Sequence, residues 1–140
     1  MFSCFRRNKR DKKIALLNKK NNLFKKNTLI CSLILSGAKE IKNLNKKFRK
    51  KNKSTDVLSF PFYKKNQLNN KIRKEKEVYL GDIIINLSQV KKKNNKAKFK
   101  EELNKLWIHG LLHLLGYDHK SNSQYLQMQK LEKKFSYLIK

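Results

Sequence analysis

Helices and strands share this chain, and the sequence predicts a single domain containing both. Three observations lead there. A length of 140 residues suits one hydrophobic core. Three short apolar runs, LICSLIL, TDVLSFPF and VYLGDIIINL, have the length and β-branched content of strands. Elsewhere apolar residues recur at intervals of three and four, which places them on one face of a helix.

Taken in order, residues 1–13 are polar and basic and are expected to fray. Residues 14–24, IALLNKKNNLF, are expected to form a short amphipathic helix, although NKKNN is a poor helix centre. LICSLIL (29–35) reads as a buried strand closed by Ser36 and Gly37. In AKEIKNLNKKFRKK (38–51), Ile41, Leu44, Asn45 and Phe48 fall at i, i+3, i+4 and i+7, a helical stripe. TDVLSFPF (55–62) alternates at Leu58, Phe60 and Phe62. Pro61 has no donor for a ladder, so this strand belongs at a sheet edge or ends there. Residues 63–76, YKKNQLNNKIRKEK, read as a polar insert, the least structured part of the middle. In VYLGDIIINL (78–87), Gly81 predicts a bend, and Ile83, Ile84 and Ile85 suit a strand covered on both faces. KKKNNK (91–96) reads as a linker. FKEELNKLWIHGLLHLL (99–115) is a helix whose second half is apolar nearly all round, with Gly116 as its C-terminal cap. Residues 121–139 form a last helix capped by Ser121 or Ser123.

The formal net charge is +26, from 36 Lys+Arg against 10 Asp+Glu. Such self-repulsion is relieved by a polyanion, which points to nucleic acid. Lys, Asn and Ile are all abundant and all have A/T-rich codons, so compositional drift accounts for the charge equally well. Cys4 and Cys31 form no CxxC pair, and two thiols in so charged a chain suit a reducing compartment. MFSCFRRNKR reaches its basic run before any apolar signal core, and no apolar stretch approaches the ~20 residues that span a bilayer. A cytoplasmic protein without membrane association is expected.

All three histidines lie in HGLLHLLGYDH, at His109, His113 and His119. Residues four apart on a helix stack on one side, so His109 and His113 point the same way. A left-handed cap at Gly116 would turn the chain back through Tyr117 and Asp118 and bring His119 towards them. Three converging imidazoles suit Zn²⁺ and leave a fourth position for water, whose pKa such an ion lowers to ~7. A structural zinc takes four protein ligands, often thiolates. Here Cys4 and Cys31 are remote, and Glu102 lies about 10 Å down the helix from His109. An open site of the catalytic kind is therefore expected, with one metal ion per chain.

The spacing matches that of metzincin peptidases except at Gly110, where those enzymes carry the glutamate that takes a proton from water. Glycine also costs a helix about 1 kcal/mol relative to alanine. It implies close approach of backbone or substrate, or tight packing of a neighbouring strand.

At this point the chain resembles a known family. HGLLHLLGYDH is similar to the signature of the YbeY family, zinc endoribonucleases specific for single strands in bacterial rRNA maturation. LNKKFRKKNKSTDVLSFPF (44–62) and YLGDIIIN (79–86) resemble two further family segments in the same order. The resemblance implies an α+β fold: a small mixed four-stranded sheet against several helices, with the metal helix central. It implies that His109, His113 and His119 bind Zn²⁺. It places Arg49 on the family's functional arginine, where contact with RNA is the expected role. Without it, Arg49 is one cation among 36 Lys+Arg. The family's first strand is hard to find in residues 1–13.

The leading expectation is thus a zinc-dependent endoribonuclease acting on single-stranded rRNA precursors at the small ribosomal subunit, with no DNA partner. Arg49 would fork onto a phosphate. Two other readings stand beside it: a non-catalytic assembly factor stapled by zinc, and a metzincin-like peptidase with a displaced base. No general base is assigned. Asp118, Asp82 and Asp56 are candidates, and turn, cap or supporting roles suit each better.

Overall fold

The structure is a computed structural model and describes residues 28–90 and 94–139. Its elements are β1 (Thr28–Ser36), α1 (Ala38–Arg49), β2 (Val57–Pro61), α2 (Lys65–Lys74), β3 (Glu77–Asn86), α3 (Lys96–Leu114) and α4 (Asn122–Ile139). The class is α+β, as expected. Among the described residues the sheet has three strands in the order β1-β3-β2. A fourth strand, the helix at 14–24 and the frayed terminus are expectations that lie outside the described residues. No helix among the described residues is long and apolar enough to cross a membrane.

β3 is the centre of the sheet because its isoleucines have partners on both faces. Ile83 and Ile85 are fully buried with Leu80, Leu68 and Leu114, on the side of α2 and α3. Ile84 faces the other way and packs with Ile41 of α1 and Leu58 of β2. β1 runs parallel to β3 and β2 antiparallel, so the sheet is mixed. β2 is an edge strand and Pro61 is its last residue, where a missing donor does no harm. The bend at Gly81 is a β-bulge: the β1–β3 register shifts between Ile30 and Cys31. Gly81 has φ +129°, and a Cβ there would lie 2.1 Å from the Phe60 carbonyl oxygen, so only glycine fits.

Two expectations are corrected. The polar insert at 63–76 holds a ten-residue helix, α2. Leu68 buries its side chain against β3, and the Lys64 backbone N–H donates to Gln67 Oε1 at 3.0 Å to cap the first turn. A Lys71–Glu75 ion pair spans the last turn. One well-placed leucine and its caps outweigh the asparagine and lysine around them. β1, expected to be buried, is only partly so: Leu35 is 50 % exposed and Ile30 39 %. It occupies the other edge of the sheet, where one flank has no neighbouring strand among the described residues.

α3 starts at Lys96, earlier than its apolar stripe, because the Asn95 side chain accepts from the Lys98 N–H at 3.0 Å. It lies on the sheet through Gly110. A Cβ at Gly110 would come within 2.7 Å of Ile83 Cγ2 and 3.1 Å of Ser59 Oγ. Of the two sequence readings, strand packing therefore accounts for this glycine: it lets the helix sit against β2 and β3. α4 then packs along the other side of α3, through Ile108, Leu112, Met128, Phe135 and Ile139.

Candidate metal centre

His109 and His113 are one turn apart on α3, immediately beside the glycine that seats the helix on the sheet. α3 ends as the sequence requires. Gly116 has φ +83°. Its N–H bonds to the His113 carbonyl and that of Tyr117 to the Leu112 carbonyl, both at 3.0 Å. This pair of bonds closes a helix on a left-handed residue. The reversal returns His119 to the other two. Their candidate ligand atoms all lie within 4.8 Å of one another. Ring centroids are 4.7 Å apart for His109–His113, 5.1 Å for His113–His119 and 5.6 Å for His109–His119.

The hydrogen bonds fix which nitrogens face inward. His109 Nδ1 lies 2.7 Å from Glu132 Oε1 of α4, and His113 Nδ1 lies 3.0 Å from the Tyr117 carbonyl oxygen. A carbonyl and a carboxylate are acceptors, so each Nδ1 carries its hydrogen and donates it. That turns both Nε2 atoms inward, where they face each other at 3.1 Å. Such a separation is bridged by one shared hydrogen when a proton is present, or by a cation when both nitrogens are bare. Two nitrogens bound to one tetrahedral zinc at ~2.05 Å would stand roughly 3.3 Å apart. The donor set and spacing therefore fit a divalent cation. Burial first, and then repulsion from His109 and His119 when those rings are protonated, hold the His113 pKa below the ordinary histidine value.

Glu132 was not foreseen from sequence. It is the only acidic residue among 121–140 and sits in an otherwise basic helix, which is the signal that could have drawn attention to it. Its neighbours on the same face of α4 complete a cleft beside the histidines. That cleft is lined by His109, His119, Tyr125, Met128, Gln129 and Glu132. α4 is held in place by Ser121, whose hydroxyl accepts from the Gln124 N–H at 3.3 Å while Gln124 Oε1 accepts from the Ser121 N–H at 3.2 Å.

Arg49 stands at the end of α1 on the exposed surface and does not line that cleft. Its Nη2 donates to the Ser59 carbonyl at 3.3 Å. Ser59 is the β2 residue that lies under Gly110, so the guanidinium is brought to the strand flanking the metal helix, not into the histidine cluster. The loop between them is anchored at both ends. Asn45 Nδ2 donates to the Lys53 carbonyl at 2.7 Å, and Asn86 Nδ2 donates to Ser54 Oγ at 2.9 Å and to the Thr55 carbonyl at 3.1 Å.

The three aspartates weighed as proton acceptors are all engaged locally. Asp118 accepts from the His119 N–H at 2.8 Å and pairs with Lys120, and the His119 bond holds its carboxyl below the usual range. Asp82 accepts from the Tyr79 hydroxyl at 2.6 Å. Asp56 accepts from the Val57 N–H at 2.9 Å and from Thr55 Oγ1 at 3.1 Å.

Fold and site together define an α+β protein with a three-histidine, metal-type centre on a helix braced by a mixed sheet. Comparison with known proteins narrows this class. The family model described as endoribonuclease YbeY matches residues 6–139. The endoribonuclease YbeY of Pelagibacter ubique is 44 % identical over 123 residues, covering 86 % of this chain and 71 % of that one. The corresponding protein of Thermodesulfovibrio yellowstonii is 42 % identical over 129 residues, covering 89 % and 74 %. Among solved structures, the solution structure of TM1509 from Thermotoga maritima superposes with a TM-score of 0.51 at 30 % identity, covering 95 % of this chain and 85 % of that one. The chain belongs to the endoribonuclease YbeY family.

Proposed function

We propose that this protein is a zinc-dependent endoribonuclease that cuts single-stranded segments of rRNA precursors at the small ribosomal subunit. Family membership supports the endoribonuclease activity and an RNA substrate. The observation that carries the metal reading is the pair of inward-facing Nε2 atoms 3.1 Å apart, each ring oriented by the hydrogen bond on its opposite side. A third imidazole, His119, closes the donor set.

In this reading His109, His113 and His119 hold the ion. When bound, it supplies positive charge for a phosphodiester that is gaining negative charge and makes water acidic enough to attack near neutral pH. Glu132 and the Tyr117 carbonyl keep two rings turned so that their basic nitrogens point inward. Arg49 binds a phosphate along the strand flank, where its planar fork suits two oxygens at once. The +26 net charge draws the polyanion in. The peptidase reading lacks support at the position that matters: Gly110 carries no base, and the space beside it is filled by Ile83 and Ser59.

The test is metal analysis of the native protein beside cleavage of an unstructured RNA by wild type and by His113→Ala. Stoichiometric zinc, with cleavage by wild type and none by the folded variant, is expected. Full activity in metal-free protein would reject the reading. Bound zinc without cleavage at any metal load would favour the assembly-factor alternative.

A further inference from the structure

The cleft beside the histidines has features that metal binding does not use. Tyr125, Met128, Gln129 and Glu132 fall at i, i+3, i+4 and i+7 of α4, so one stripe of that helix faces His109 and His119. The stripe is graded. Glu132 reaches His109, Met128 is buried and forms an apolar floor, Gln129 is half-buried, and Tyr125 at the mouth is 53 % exposed. The Gln129 amide, which can both donate and accept, has no hydrogen-bond partner among the described residues. The space is about 110 Å³, several times the ~30 Å³ share of one water.

An exposed aromatic ring, a polarizable apolar floor and a carboxamide facing the cleft are the parts of a nucleobase site. The ring stacks on a π-face, the thioether tolerates any flat heterocycle, and the amide meets a base edge. We propose that this cleft binds one unpaired base of the RNA next to the scissile phosphate, stacked against Tyr125 with its edge on Gln129. The proposal rests on the endoribonuclease reading and extends it. A base enters such a cleft only if it is free of a duplex, so the cleft accounts for single-strand preference by geometry. The phosphate attached to that base is then delivered to the histidines that form the opposite wall.

Equilibrium binding of a single-stranded RNA pentamer to the full-length zinc-loaded protein tests this, with pentamers carrying an abasic ribose at each position in turn as the comparison. For wild type, one abasic position should weaken binding at least about fivefold, the least expected of a stacked base. Tyr125→Ala should weaken binding of the intact pentamer by a similar factor and bind that abasic pentamer no more weakly than the intact one. Tyr125→Phe should restore the wild-type pattern, and Gln129→Leu should change which base is preferred at that position. An undiminished abasic penalty in Tyr125→Ala, or wild-type affinity and KM in that variant, would overturn the proposal. The binding arm does not depend on turnover. Tyr125-dependent, abasic-sensitive binding by a protein that cuts no RNA would therefore uphold the subsite and reject the nuclease reading.

Discussion

At the scale of single residues, the proposed centre leans on a carboxylate outside its three imidazoles. Glu132 accepts the His109 Nδ1 hydrogen at 2.7 Å and so turns Nε2 towards the other imidazoles. Removing such a partner usually costs a metal site about 10–100-fold in affinity. Glu132→Ala is therefore expected to weaken zinc binding by that range in a chelator competition, with circular dichroism unchanged. Glu132→Gln, which keeps an accepting oxygen, should lose less. Cys31 makes a second prediction. Burial, assisted by the Asp82 carboxylate, pushes its thiol up to about 11. A thiol near 8.5 in the unfolded chain ionises first, so any stability from the neutral buried form is present below ~8.5 and lost as pH rises towards the folded value. At pH 8 iodoacetamide should label Cys31 at least about tenfold more slowly in the native protein than in denaturant, read by peptide mass.

At the scale of elements, the turn after α3 determines whether the third histidine arrives. Gly116 sits at φ +83°, and a side chain there would also meet Lys65 Cγ at 2.9 Å. The lysine is flexible and gives way; the backbone does not. Gly116→Ala should cost about 1 kcal/mol of stability from the left-handed conformation alone. It should also lower zinc affinity, because His119 follows that turn; denaturant midpoints and the same chelator competition measure the two effects. This turn was legible in the sequence, since a glycine stands where the helical stripe stops. So were α3, α4, the central strand and the edge position of β2, because Pro61 and the isoleucine run each act through one local rule. α2 was not. Its evidence is Leu68 and a cap made by Gln67, and both are invisible until β3 supplies something for the leucine to bury against. Phe62 shows the limit of a strand's alternation. It alternates correctly with Phe60, yet it is 64 % exposed beyond the end of β2, touching the rings of Tyr63 and Tyr79. Alternation specifies a side of the sheet but not whether a layer covers it.

For the whole molecule, the proposed function separates two contributions to RNA binding by their response to salt. Affinity for a single strand falls with salt by a logarithmic slope of about 0.7 for each phosphate neutralised. Arg49→Ala should reduce the magnitude of that slope by about 0.7 in a salt titration of RNA binding. Tyr125→Ala should leave the slope unchanged while lowering affinity at every salt concentration. The three histidines could be read as a set from spacing because they lie on one helix and the turn after it. The relation of Arg49 to them could not. It is created by the sheet, which lays Ser59 under Gly110, and by the anchored loop that holds the end of α1 at β2.

Every imidazole of the centre and its supporting carboxylate come from one continuous stretch, His109 to Glu132, and the sheet contributes none of them. Contacts between near neighbours in sequence close with little entropic cost and form early, whereas β1 must find β3 across the whole middle of the chain. If an ion binds as proposed, it crosslinks the end of α3 to the turn that follows, a closure that needs no strand to have paired.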